Sequence, residues 1–122
     1  MSNTTQPDWK EILPLSPAMF YILLALPDGP KHGYAIMKEV EEMTGGKITL
    51  GPGSLYGSIK RLLKEEMIAE TDHRPVRALD DERRRYYILT DYGRQVLAAE
   101  VDRLASAVRL AQQKAVHTGT IG

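Results

Sequence analysis

Residues 50–68 read LGPGSLYGSIKRLLKEEMI. Gly51-Pro52 opens a helix, because proline at the first helical position has its φ already set and no amide hydrogen to leave unpaired. Leu55, Ile59, Leu62 and Leu63 then recur at i, i+4, i+7 and i+8 and form one apolar stripe. The other face carries Gly53, Ser54, Gly57, Lys60, Arg61 and Lys64, small residues first and cations after. A helix with that face can bring its backbone close to a flat anionic partner and lay cations alongside. Taken alone, the stripe also fits an ordinary amphipathic helix with a solvated basic face.

The segments that follow decide between the two. Ile68–His73 (IAETDH) alternates apolar and polar, and RPVRALDDE makes a polar, proline-containing loop. Arg83–Leu89 (RRRYYIL) is a second strand, rich in aromatic and β-branched residues. Helix, strand, charged loop and strand predict a mainly α fold with a small β-wing, a winged helix-turn-helix. In strand geometry Arg83, Arg85 and Tyr87 share one face, while Arg84 and Tyr86 share the other. One set is expected to serve phosphate or the minor groove, and the other to pair with Asp80, Asp81 or Glu82.

Upstream, residues 1–14 are polar, contain Pro7, Pro14 and the single tryptophan Trp9, and read as an N-terminal arm. Ser16 and Pro17 are N-cap and N1 signals for a helix over Ala18–Leu26 that is apolar almost all round, hence buried on more than one side. Pro27-Asp28-Gly29-Pro30 breaks it. A second helix is predicted over about His32–Met43, with Tyr34, Ile36 (or Met37) and Val40 toward the core and a Thr44-Gly45-Gly46 stop. Lys47–Leu50 is a candidate first strand pairing with the wing. Residues 15–90 thus form the winged helix-turn-helix.

Thr90-Asp91 caps a last helix reaching about Lys114. Leu97, Val101, Leu104, Val108, Ala111 and Ala115 follow at steps of four and three, an a/d seam suited to a partner helix. A helix folding back on its own domain would show similar periodicity, but one this long overhangs so small a core. Residues 91–116 therefore read as a dimerisation helix and 117–122 as a tail.

A chain of 122 residues supports one small domain, for which oligomerisation is a natural supplement. Its 16 basic and 16 acidic residues cancel, which is unusual for a nucleic-acid binder. Distribution answers this, since cations gather on the face of 53–64 and in the wing at Arg74, Arg77, Arg83, Arg84 and Arg85. With Asp80, Asp81 and Glu82 among them, binding is expected to be moderate and to depend on two subunits. Without cysteine there is neither a disulfide nor a thiolate metal site, and His32, His73 and His117 lack ligand spacing, so no metal or cofactor is expected. No apolar run is long enough for a bilayer and no signal peptide is evident, which makes the cytoplasm the expected location. Gly51-Pro52-Gly53-Ser54 lacks the spacing of a phosphate-binding loop, and no nucleophile–base pair appears, so an enzyme is not expected.

Four motifs stand in sequence: LSPAMFYILLAL, GPKHGYAIMKEVEE, GPGSLYGSIKRLLKEEMI and RRRYYILTDYGRQVL. In this order and spacing, from about Leu15 to Leu97, they resemble the PadR family of bacterial transcriptional regulators, and its short members in particular. The resemblance implies a homodimeric winged-helix repressor of double-stranded DNA with an inverted-repeat operator. It brings Ser54, Tyr56, Lys60, Arg61 and Lys64 to DNA, with the wing residues Arg83, Arg84 and Arg85 and the HGY residues His32 and Tyr34. The family often has threonine where this chain has Ser54. The implied dimer joins Leu97, Val101, Leu104 and Val108, helped by Phe20 and Leu23. Members respond to varied small molecules, so an apolar or aromatic effector is an expectation, with Trp9, Phe20, Tyr21 and Tyr92 as lining or simply as packing. The alternative is a winged-helix protein-interaction module without specific DNA binding, which would more often show exposed aromatic or aliphatic anchors.

Overall fold

The computed structural model describes residues 9–72 and 84–114, with the backbone alone for Trp9 and Lys10. The elements are α1 (Trp9–Ile12), α2 (Pro17–Leu24), β1 (Lys31–His32), α3 (Gly33–Met43), α4 (Pro52–Lys64), β2 (Ile68–Thr71), β3 (Tyr86–Leu89) and α5 (Asp91–Gln113). The strands form an antiparallel sheet in the order β1-β3-β2, with Ile68 opposite Leu89, Thr71 opposite Tyr86, and His32 opposite Tyr86 on the other edge. Three helices packed on a small sheet, with α5 extending from it, make a winged helix.

α2, α3, α4 and α5 each start where the sequence predicts. Ser16 Oγ accepts the Met19 amide at 3.1 Å and Pro17 follows it, which fixes the first turn of α2. Ile22 and Leu23 are wholly enclosed, while Ala18, Phe20, Tyr21 and Leu24 are half-buried against the same core. On α3, Ile36 and Val40 turn inward. Its end is a glycine stop in which the Gly46 amide donates to the Glu41 carbonyl at 2.8 Å and the Gly45 amide to Glu42 at 3.2 Å. Both glycines sit in the left-handed region, at φ 61° and 80°, where a side chain would be strained.

Four expectations change. Tyr34 is 53% exposed rather than in the core. At about 100° per residue it lies some 200° around α3 from Ile36, so one cannot be buried with the other. The first strand is Lys31–His32, not Lys47–Leu50. Residues 47–50 are tied back to the α3 stop, because Thr44 Oγ1 accepts the Ile48 amide at 3.1 Å and donates to the Val40 carbonyl at 2.8 Å. The last strand starts at Tyr86, with Arg84 and Arg85 ahead of it and Arg83 outside the described residues. The polar lead-in, finally, contains α1, and its Ile12 and Leu13 pack on the core beside Leu15.

α5 is anchored at its start and free at its end. Thr90 Oγ1 accepts the Gly93 amide at 2.9 Å and donates toward the Glu66 carbonyl at 2.7 Å, while the Thr90 amide donates to Met67 at 3.1 Å. The helix crosses so close here that a Cβ on Gly93 would overlap the Met67 carbonyl. Further along, Glu100 is buried and its carboxylate accepts the Leu15 amide at 3.0 Å and two Arg103 donors at 2.6 and 3.1 Å. Beyond Glu100 the helix leaves the body, and through Lys114 only Ala105 and Ala111 are even half-covered. Val101, Leu104 and Val108 are 44%, 39% and 47% exposed.

Candidate nucleic-acid interface

α4 buries Leu55, Ile59 and Leu62 and turns Gly53, Ser54, Tyr56, Gly57, Lys60, Arg61 and Lys64 outward. Among the described helices of eight residues or more it alone has no side chain on its N-terminal amides. Ser16, His32 and Thr90 cap α2, α3 and α5, whereas Gly51 offers α4 nothing. Those amides keep their donors and their partial positive charge available to an anion. Arg61 has only a long contact, 3.8 Å from its Nε to Glu65 one turn on, which leaves the guanidinium able to reach away from the helix.

Beside α4 stands a second group of donors around a cavity of about 290 Å³, lined by His32, Gly33, Tyr34, Tyr56, Arg84, Arg85 and Tyr87. Its parts come from the α3 start, the α4 flank and the base of the wing. His32 Nδ1 accepts the Ala35 amide at 3.1 Å. Nε2 lies 3.0 Å from Arg84 Nη1, which sets the ring against the guanidinium at the cavity edge. The His32 ring stacks on Tyr34 at 6.5 Å and meets Tyr86 edge-on at 5.2 Å. Arg85 Nη1 reaches both Glu70 oxygens, at 3.1 and 3.2 Å. Burial, helped by the Glu70 carboxylate and Tyr56, pushes the Tyr87 phenol above its ordinary range and keeps it a donor.

The structure thus gathers His32, Tyr34, Tyr56, Arg84 and Arg85 beside Ser54, Lys60, Arg61 and Lys64. Arg85 pairs with Glu70 across the strand pair. The expected partners Asp80, Asp81 and Glu82, with Arg74, Arg77 and Arg83, lie outside the described residues. Two dimer candidates are used elsewhere. Leu23 is 0% and Leu97 7% exposed, both within the protomer's own core, because α5 begins by packing on α2. Phe20 and Tyr21 pack edge-to-face at 5.2 Å, and Tyr92 is buried beside an open groove bordered by Leu63, Ile68 and Gln95. Sequence reading missed Gly33 and Lys38, whose Nζ lies 5.8 Å from the Tyr34 ring; the second was signalled by its place four residues after Tyr34 on one helix. No described helix is long and apolar enough to cross a membrane, and no cluster among the described residues could hold a metal ion.

The profile of the "Transcriptional regulator PadR-like family" matches residues 22–99. A 37.1 kDa protein in transposon TN4556 of Streptomyces fradiae is 40% identical over 89 residues, which are 72% of this chain and 23% of that protein. The chain therefore spans about a quarter of that curated relative's length. Among solved structures, a PadR family transcription regulator from Clostridium difficile R20291 matches at TM-score 0.66 and 23% identity, covering 80% of this chain and 97% of that one. Bacillus subtilis PadR in complex with operator DNA matches at TM-score 0.57 and 25% identity, covering 68% and 45%.

Proposed function

Because this chain belongs to the PadR-like family of transcriptional regulators, we propose that it is a sequence-specific DNA-binding regulator that acts as a homodimer. The observation that carries this reading is α4, whose amides have no side-chain cap and whose exposed face runs from glycines and a serine to Lys60, Arg61 and Lys64. α4 enters the major groove with Ser54 near a phosphate, Tyr56 on backbone at the flank, and Lys60, Arg61 and Lys64 on phosphate or a guanine edge. His32, Tyr34, Arg84 and Arg85, with Arg83, serve neighbouring phosphates and set register rather than sequence. In the dimer, Val101, Leu104 and Val108 face a second copy, with half-buried Phe20 beside them. Leu23 and Leu97 support that face from inside the core.

The division into a lead-in at 1–14, a DNA-binding unit at 15–90, a dimerisation helix at 91–116 and a tail at 117–122 belongs to this reading. So do repression, release by a small apolar or aromatic effector, and action in the cytoplasm. The family is one of regulators, and the chain is read as a binder rather than an enzyme. Titrating duplex affinity against salt tests the reading. Phosphate neutralisation gives a steep loss, and Arg61→Ala should cost about 1–3 kcal/mol if it reads a base. A flat salt response, or unchanged affinity in both Lys60→Ala and Arg61→Ala, would favour a protein-interaction module instead.

A further inference from the structure

We infer that Gly33 is a positioning residue for Tyr56: lacking a side chain, it lets the Tyr56 ring rest on the start of α3 and holds the phenol at one point of the DNA-facing surface. The inference rests on the DNA-binding reading above. A Cβ on Gly33 would stand 2.6 Å from the Tyr56 hydroxyl oxygen and 2.9 Å from both Cε1 and Cζ, and these are its three nearest neighbours. The demand for glycine is therefore made by this ring.

Backbone geometry does not make that demand. Among the described residues the glycines with positive φ are Gly29, Gly45 and Gly46, and Gly33 is not one of them. It sits at the first position of α3, where alanine would hold the helical conformation with a smaller entropic loss. A residue that is worse than alanine for the helix stands where alanine would strike one aromatic side chain.

That side chain is on the face argued to meet DNA. Tyr56 is 51% exposed, and an exposed tyrosine ordinarily samples several rotamers, so fixing it on binding has an entropic cost. Contact with Gly33 holds the ring before DNA arrives. The held hydroxyl shares its cavity with the His32 ring and the Arg84 and Arg85 side chains. A phenol hydroxyl from α4 and guanidinium groups from the wing base, gathered around one space, suit an oxyanion, and on this surface that is a backbone phosphate.

The test uses the full chain and a random-sequence duplex, since phosphate contacts do not depend on sequence. Gly33→Ala should melt no lower than wild type and bind about fivefold more weakly, the worth of roughly one hydrogen bond and close to the effect of Tyr56→Ala. In a Tyr56→Ala background, Gly33→Ala should have no further effect. In DNA-free protein, a nuclear Overhauser contact between the Tyr56 ring and Gly33 Hα should be present. Wild-type affinity in Gly33→Ala, an undiminished Gly33→Ala effect without the Tyr56 ring, or absence of that contact would each overturn the inference. If wild type shows no salt-dependent duplex binding, the DNA reading falls and this role with it, whereas the contact would still report the packing.

Discussion

Glu100 ties α5 to the segment ahead of α2, and removing its carboxylate should loosen that joint measurably. The side chain is 2% exposed, and Leu15, whose amide it accepts at 3.0 Å, is itself buried. Glu100→Ala leaves that amide without an acceptor, a cost of about 1–3 kcal/mol. It also removes the pair with Arg103, whose side chain is 45% exposed and so adds little in water. About 2 kcal/mol is therefore expected in total. Glu100→Gln keeps an oxygen for Leu15 and should cost less than half of that. At roughly 3–5 °C per kcal/mol for a domain this size, thermal unfolding should fall by about 8 °C in Glu100→Ala and by about 3 °C in Glu100→Gln.

The pH dependence supplies a second check. The Arg103 guanidinium, then the Leu15 amide, hold the Glu100 carboxyl below its ordinary value of 4.5, against burial that pushes it up. A group depressed in the folded state stabilises fully above its unfolded pKa and loses that contribution as pH falls through the folded one. The gap in melting temperature between wild type and Glu100→Ala should therefore be widest near neutrality and narrow in acid below 4.5. Equal melting temperatures, or a gap that persists unchanged into strong acid, would refute the reasoning.

Two further outcomes follow from α5. Leu104→Glu should leave the protomer folded, because Leu104 is 39% exposed within it, yet sediment as a monomer and lose operator binding. Two carboxylates facing each other across the seam cost several kcal/mol if buried unpaired. Gly93→Ala should destabilise by at least about 2 kcal/mol in urea titrations, because its methyl group meets the Met67 carbonyl rather than a side chain that can move. An unchanged unfolding midpoint would mean that the α4–α5 corner yields without cost.

The α4 stripe was legible because its buried positions recur strictly at helical spacing, and Gly51-Pro52 marks where it begins. The caps at Ser16 and Thr90 were equally readable, since each needs only a hydroxyl and a free amide three residues on. β1 was not legible, because two residues cannot display an alternation, whereas Lys47–Leu50 could. The α5 seam misled at one end. Leu97 and Val101 continue one periodicity, but the helix leaves its own domain between them, and spacing does not distinguish a domain's core from a partner's surface. Glu100 was hidden for a related reason, since a carboxylate in a helix reads as solvated until its partner 85 residues earlier in the chain is seen. Gly33 carried no positive-φ requirement, and only the Tyr56 ring reveals its purpose.

Selection of bound sequences from random duplex tests the central claim most directly. A dimer presenting two α4 helices about a two-fold axis should enrich an inverted repeat with half-site centres about 34 Å apart, one turn of duplex. Leu104→Glu should enrich nothing, and Arg61→Ala should relax one position in each half-site if that arginine reads a base. Recovery of no motif from wild type, or of a single asymmetric site bound equally well by Leu104→Glu, would contradict the account.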